Sequence, residues 1–143
     1  MPVAKQGTTQ TKKLMHYSVG ALIRRGDKLL LIDRAIEPFG FACAAGHIEQ
    51  GEDPVTALKR EVFEESGLTV TKHKLIAEEE LEWNWCSKRV YGHHWYIFEC
   101  EVAGRLAENQ RETKSIGWYT EKQIQRLSLE PVWKYWFEKL RIV

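Results

Sequence analysis

Residues 46–68 read GHIEQGEDPVTALKREVFEESGL. Asp53 is a suitable N-cap, because a short carboxylate can accept from the N–H groups that the first helical turn leaves unsatisfied, and Pro54 fits the first helical position. Gly67 stands where a helix end favours a left-handed residue. Together these signals predict a helix over residues 54–66. Val55, Leu58 and Val62 recur at helical spacing as an apolar stripe, while Glu61, Glu64 and Glu65, spaced i, i+3 and i+4, fall on one side at about 100° per residue. One face is built to pack and the other is left for chemistry. Like charges so placed repel, and hard carboxylate oxygens suit Mg²⁺ or Mn²⁺ as the compensating cation. Taken alone, the carboxylates are better explained as an ordinary solvated acidic face.

Upstream of this helix, two apolar runs, residues 17–23 and 29–32, flank Gly26 and Asp27 and predict a β-hairpin. The apolar segment 41–46 reads as a buried strand or an extended turn. Downstream, apolar and polar residues alternate from Leu75 to Trp85, the period of a strand, and a second strand over residues 93–102 is expected to pair with it across a turn containing Ser87, Lys88, Arg89 and Gly92. Thr120 and Gln123 have capping-box spacing. Val132, Trp133, Trp136, Phe137 and Leu140 predict a closing helix docked on the sheet. Residues 1–15 lack an apolar leader and read as a flexible tail, or as a transit peptide on its basic composition, before a domain over residues 16–143.

The chain has 143 residues, enough for one domain with its own core, and carries 21 Lys and Arg against 20 Asp and Glu. A net charge of +1 gives no global field for a nucleic-acid backbone, so a nucleic-acid partner is not expected. Cys43, Cys86 and Cys100 lack CxxC spacing, which points to thiols in a reducing cytoplasm rather than a disulfide framework. No long apolar segment suggests a membrane span. Zinc ligation by Cys86, His93, His94 and Cys100 is disfavoured, because adjacent histidines point to opposite faces of a strand and Cys100 lies about 20 Å along it from His94.

The spacing around the carboxylates goes beyond an acidic run: Gly46, five residues, Glu52, seven residues, Arg60-Glu61, apolar Val62, one residue, Glu64-Glu65, one residue, Gly67 and apolar Leu68. This resembles the Nudix box at every defined position, and flanking strand order extends the resemblance to about residues 16–140. The resemblance implies an α/β fold, a Nudix-type α/β/α sandwich with a mixed β-sheet. It implies a hydrolase in which water attacks the phosphoanhydride of a nucleoside diphosphate linked to another moiety. By position, Glu61, Glu64 and Glu65 would hold Mg²⁺ or Mn²⁺ with help from the Gly46 carbonyl. Arg60 would orient Glu61, and Glu52 would brace the loop. Glu61 is one candidate general base. Glu112, six residues before Trp118, is a second, with a solvated loop acid beside Arg111 and Lys114 as its competing reading.

The resemblance has departures. Ala44-Ala45 precede Gly46 where many relatives carry Pro-Gly-Gly. The proline and tyrosine that mark relatives acting on ADP-ribose and dinucleoside polyphosphates are replaced by Trp83, Asn84 and Trp85. Trp83 and Trp85 are the candidate base-stacking residues, against a core-packing alternative. The expected substrate is therefore a small nucleotide, a nucleoside triphosphate or its oxidised form. The alternatives are a non-catalytic nucleotide-sensing module and a hydrolase of ADP-ribose, dinucleoside polyphosphates or capped RNA.

Overall fold

A computed structural model describes residues 3–86, 89–107 and 113–143. Strand β2 (Leu14–Arg25) is the spine. One of its edges pairs in parallel with β7 (Gly92–Ala103), with His16 opposite His93 and Ser18 opposite Trp95. On the other side it pairs antiparallel with β5 (Ala44–His47), Val19 opposite Gly46 and Ser18 opposite His47. β6 (Thr69–Leu81) continues the sheet antiparallel to β7. The sheet is thus mixed, as the resemblance implies.

The expected hairpin forms, but β2 and β3 (Lys28–Arg34) pair only beside their turn, at Arg24 with Leu29 and Arg25 with Lys28. Beyond that point the same edge of β3 pairs with β4 (Gly40–Ala42), while its other edge pairs with β8 (Thr113–Thr120) along its whole length. The segment left open between strand and turn is therefore two short strands, β4 and β5. Each belongs to a different side of this divergence.

Alternation along β2, β3 and β7 makes two cores. Val19, Ala21, Ile23, Leu30, Ile32, Phe98 and Cys100 pack toward Ala57, Leu58 and Val62 of α1 (Pro54–Ser66). Leu22, Leu29, Leu31, Trp95 and Ile97 pack toward Ile124 of α2 (Glu121–Ile124) and Val132, Trp133, Trp136 and Phe137 of α3 (Pro131–Lys139). The sheet lies between these helix layers, giving the α/β/α sandwich. Gly20 allows the second layer to approach: a Cβ there would lie 2.6 Å from the Trp133 ring. Among the described residues no helix is long and apolar enough to cross a membrane.

Helix α1 has the bounds expected from its caps. Asp53 accepts from the Thr56 N–H at 2.8 Å, and Gly67 closes the helix at φ 76° with its N–H donated to the Phe63 carbonyl. The Thr120–Gln123 capping box also forms, at the start of α2.

Two expectations change. An unstructured tail does not describe residues 3–8, because β1 (Gln6–Thr8) pairs with β2, and the Lys5 N–H donates to the Ile48 carbonyl at 2.7 Å. The alternating run does not remain a strand to Trp85. Pairing stops at Leu81 opposite His93, where Gly92 lies so close to the Leu81 carbonyl that a Cβ would sit 2.7 Å from it. Residues 82–86 then leave the ladder. The Trp95 indole N–H donates to the Asn84 side chain at 2.8 Å and holds this turn against β7.

Candidate active site

Helix α1 lies against β5, and the absence of a side chain at Gly46 decides how close it comes. A Cβ at Gly46 would overlap the Glu61 carboxylate, so glycine lets that group lie against the strand backbone. Glu65 reaches the same strand, its Oε1 accepting the Ala45 N–H at 2.8 Å.

Arg60 organises the charge. Its Nε and Nη2 grip both oxygens of Glu52 at 2.8 and 3.0 Å, a fork-to-fork pairing, while Nη2 also donates to the His47 carbonyl at 3.0 Å. Nη1 donates to Glu61 Oε1 at 2.8 Å and to Glu64 Oε2 at 3.4 Å. Glu52 in turn accepts the Glu49 N–H at 2.9 Å, which ties the loop before α1 to the helix. The Arg60 hydrogen bond leads the causes that hold the Glu52 carboxyl below its usual pKa, and the same pairing raises that of Arg60. The arginine thus supplies internal compensation for part of the acidic stripe.

Beside these groups opens a cavity of about 880 Å³. Gly46, Glu61 and Glu64 line one wall, His47, His93 and Trp95 reach it from the sheet, and Glu130 and Trp133 enter from the α3 side. Trp85 borders it and is 62% exposed. Trp83 does not line it; its ring meets Tyr135 edge-on at 5.6 Å. Of the two candidate stacking residues, only Trp85 is brought to the cavity. The reason is the early end of β6, which puts both rings on a turn rather than on one strand face. Glu112 lies outside the described residues, as do Ser87 and Lys88 of the expected turn.

Sequence reasoning missed two cavity groups, Glu130 and His47, and His16, whose ring meets that of His47. Glu130 precedes α3, is buried, and has its carboxyl pushed up to about 7 by desolvation, against a lowering by Arg34, whose Nε lies 3.9 Å away. It has no motif around it. His16 and His47 are separated in sequence and come together with His93 only through the β2 pairings. Burial lowers all three histidines, His47 to about 4, with His93 and His16 adding to the effect on His47. The disfavoured zinc group is indeed dispersed: His94 faces the other way and bonds Glu78 at 2.7 Å, and Cys100 is buried in the α1-side core.

The fold and this arrangement define a helix-borne carboxylate site on an α/β/α sandwich. The NUDIX domain family matches residues 14–140, and the chain belongs to that family. It is an enzyme of the Nudix pyrophosphohydrolase class, which acts on acid anhydrides and generally uses divalent cations. Among solved structures, the chain is similar to a MutT NUDIX hydrolase from Burkholderia pseudomallei, at 19% identity over 85% of this chain and 95% of that one, with a TM-score of 0.73. It is also similar to the ORF135 protein of E. coli, at 25% identity over 94% and 96% of the two chains with a TM-score of 0.71. A MutT protein from Methanosarcina mazei Go1 aligns at 20% identity over 88% and 91%, with a TM-score of 0.70. No curated protein sequence matches significantly.

Proposed function

We propose that the protein hydrolyses a phosphoanhydride bond of a small nucleotide with Mg²⁺ or Mn²⁺ as cofactor, and that a nucleoside triphosphate or its oxidised form is preferred to ADP-ribose. The observation that carries this is Glu61 and Glu65 held against the Gly46 strand, with Glu64 beside them on the wall of a cavity of about 880 Å³, a volume within the usual range for a small-molecule site. These are hard oxygen donors, and the bare Gly46 keeps space for Glu61 against the strand, so the set fits a hard dication. Glu61, Glu64, Glu65 and the Gly46 carbonyl would hold it. Bound there, the ion would neutralise the diphosphate and make an attacking water more acidic.

The protein's own groups supply the rest. Arg60 fixes the position of Glu61 through Oε1, which supports Glu61 as acceptor of the attacking water's proton, with Glu112 the competing base. Glu52 keeps the Arg60 fork in place. Trp85 offers an exposed ring to a base at the cavity edge. The MutT designations of similar structures support the nucleotide reading. We place the activity in the cytoplasm, where three cysteines without disulfide spacing belong.

The test is a hydrolysis screen over nucleoside triphosphates, their oxidised forms, ADP-ribose and dinucleoside polyphosphates, with Mg²⁺, Mn²⁺ or excess EDTA. Triphosphate turnover that EDTA abolishes reversibly is expected. Undiminished hydrolysis in EDTA would overturn the metal assignment. A preference for ADP-ribose over every triphosphate would overturn the substrate assignment alone.

A further inference from the structure

On the sheet face beneath α3, the side chains of three histidines and a cysteine converge. His16 and His93 are register partners on the parallel strands β2 and β7, and His47 stands opposite Ser18 on the other side of β2. The short side chain of Ser18 lets His47 and His93 meet across the spine, their Nε2 atoms 3.2 Å apart. Cys86, from the turn after β6, brings Sγ to 3.4 Å from His16 Nδ1. One ligand atom from each of the four residues falls within 4.8 Å of all the others.

We propose that His16, His47, Cys86 and His93 form a binding site for a borderline-soft divalent metal ion, with Zn²⁺ the expected occupant, distinct from the Glu61–Glu64–Glu65 site. Three imidazoles and one thiolate are a donor set of the kind that selects zinc over magnesium. The separations agree with that use. Zn–N bonds of about 2.0–2.1 Å and a Zn–S bond of about 2.3 Å at tetrahedral angles put two nitrogens about 3.3 Å apart and nitrogen and sulfur about 3.6 Å apart. The observed 3.2 and 3.4 Å lie close to those edges.

A further sign is the outer hydrogen bond of His93. Its Nδ1 lies 2.6 Å from the Asn84 carbonyl, which can only accept, so Nδ1 carries the proton and Nε2 presents its lone pair to the cluster. Metal-ligating histidines are commonly oriented by a carbonyl in this way. Asn84 also accepts from Trp95, which anchors the turn that delivers Cys86. Occupancy would therefore clasp residues 84–86 to the sheet and hold Trp85 at the cavity edge.

This assignment rests on the four residues and not on the hydrolase reading. It is tested by titrating the full chain, purified without metal, with Co²⁺ in the presence of excess Mg²⁺. The expected result is about one equivalent of Co²⁺ giving a thiolate-to-metal charge-transfer band and the intense visible bands of a tetrahedral ion. One equivalent of Zn²⁺ should bleach both. Cys86→Ser should abolish the charge-transfer band, and His93→Ala should weaken Zn²⁺ binding by about a hundredfold or more, since even outer-shell changes cost about 10–100-fold. Glu61→Gln should leave the bands in place. Metal-free melts of each variant separate loss of binding from loss of fold, and Zn²⁺ should raise the melting temperature of the parent protein but not of Cys86→Ser. Absence of the charge-transfer band in the parent protein, or its persistence in folded Cys86→Ser, would overturn the site.

Discussion

A methyl group at position 46 would occupy the space of the Glu61 carboxylate, so Gly46→Ala is a local test of whether that approach matters. The alanine must push Glu61 outward while the Arg60 fork on Glu52 stays intact. Misplacing a reacting group by about 1 Å can cost on the order of a hundredfold in rate, and we expect a kcat loss of that order. The control is the melting temperature, expected to move much less than the rate. Direct removal of charge should act similarly. Glu61→Gln and Glu65→Gln are each expected to lower kcat about a hundredfold or more, with stability changed by about 1 kcal/mol or less because Arg60 retains its bidentate partner. Glu112→Gln then decides between the two candidate bases: a comparable fall assigns Glu112 to the chemistry, and a near-parental rate leaves Glu61. Near-normal rates with lowered melting temperatures in Glu61→Gln and Glu65→Gln would make the acidic stripe structural.

Helix α1 shows what could be read at the level of an element. Its caps, apolar stripe and acidic stripe are all local, set by residues between Asp53 and Gly67, so its bounds and faces were legible before any tertiary contact was known. Gly67→Ala tests the C-terminal signal. The position has φ 76°, and a Cβ would lie 3.0 Å from that of Ala107, so a loss of about 1 kcal/mol or more is expected in denaturant titration, with a smaller change in kcat because Gly67 does not line the cavity. What stayed illegible depends on pairing between distant segments. The end of β6 is set by Gly92 against Leu81 across the ladder, and period-2 alternation through Trp83 and Trp85 carries no information about that contact. The same holds for β1, whose three residues form a strand because β2 offers them an edge. His16 and His47 were invisible for this reason too: their meeting requires both the parallel and the antiparallel neighbours of β2.

At the scale of the whole molecule, Glu130 links the cavity to the stability of the fold. It is buried at the junction of β4 and α3, with Arg34 Nε 3.9 Å from one oxygen and Cys43 as a neighbouring buried acid whose own pKa is raised well above normal. Desolvation lifts its carboxyl from 4.5 to about 7, with Arg34 opposing the shift. The folded protein therefore keeps a proton that the unfolded chain gives up between these values. The resulting stabilisation of the native state is fully present below about pH 4.5 and is lost as pH rises through about 7. The shift corresponds to about 3 kcal/mol as an upper bound. Glu130→Gln removes the titration and keeps the shape. It sacrifices no cap hydrogen bond, because the Glu130 side chain makes none at the start of α3. Contributions common to the two proteins cancel in the difference. Urea midpoints at pH 4.5 and pH 8 should show the two proteins alike in acid and the variant more stable at the higher pH. Parallel midpoints at both pH values would mean that Glu130 is hydrated enough to ionise normally, and that the inner end of the cavity admits water freely.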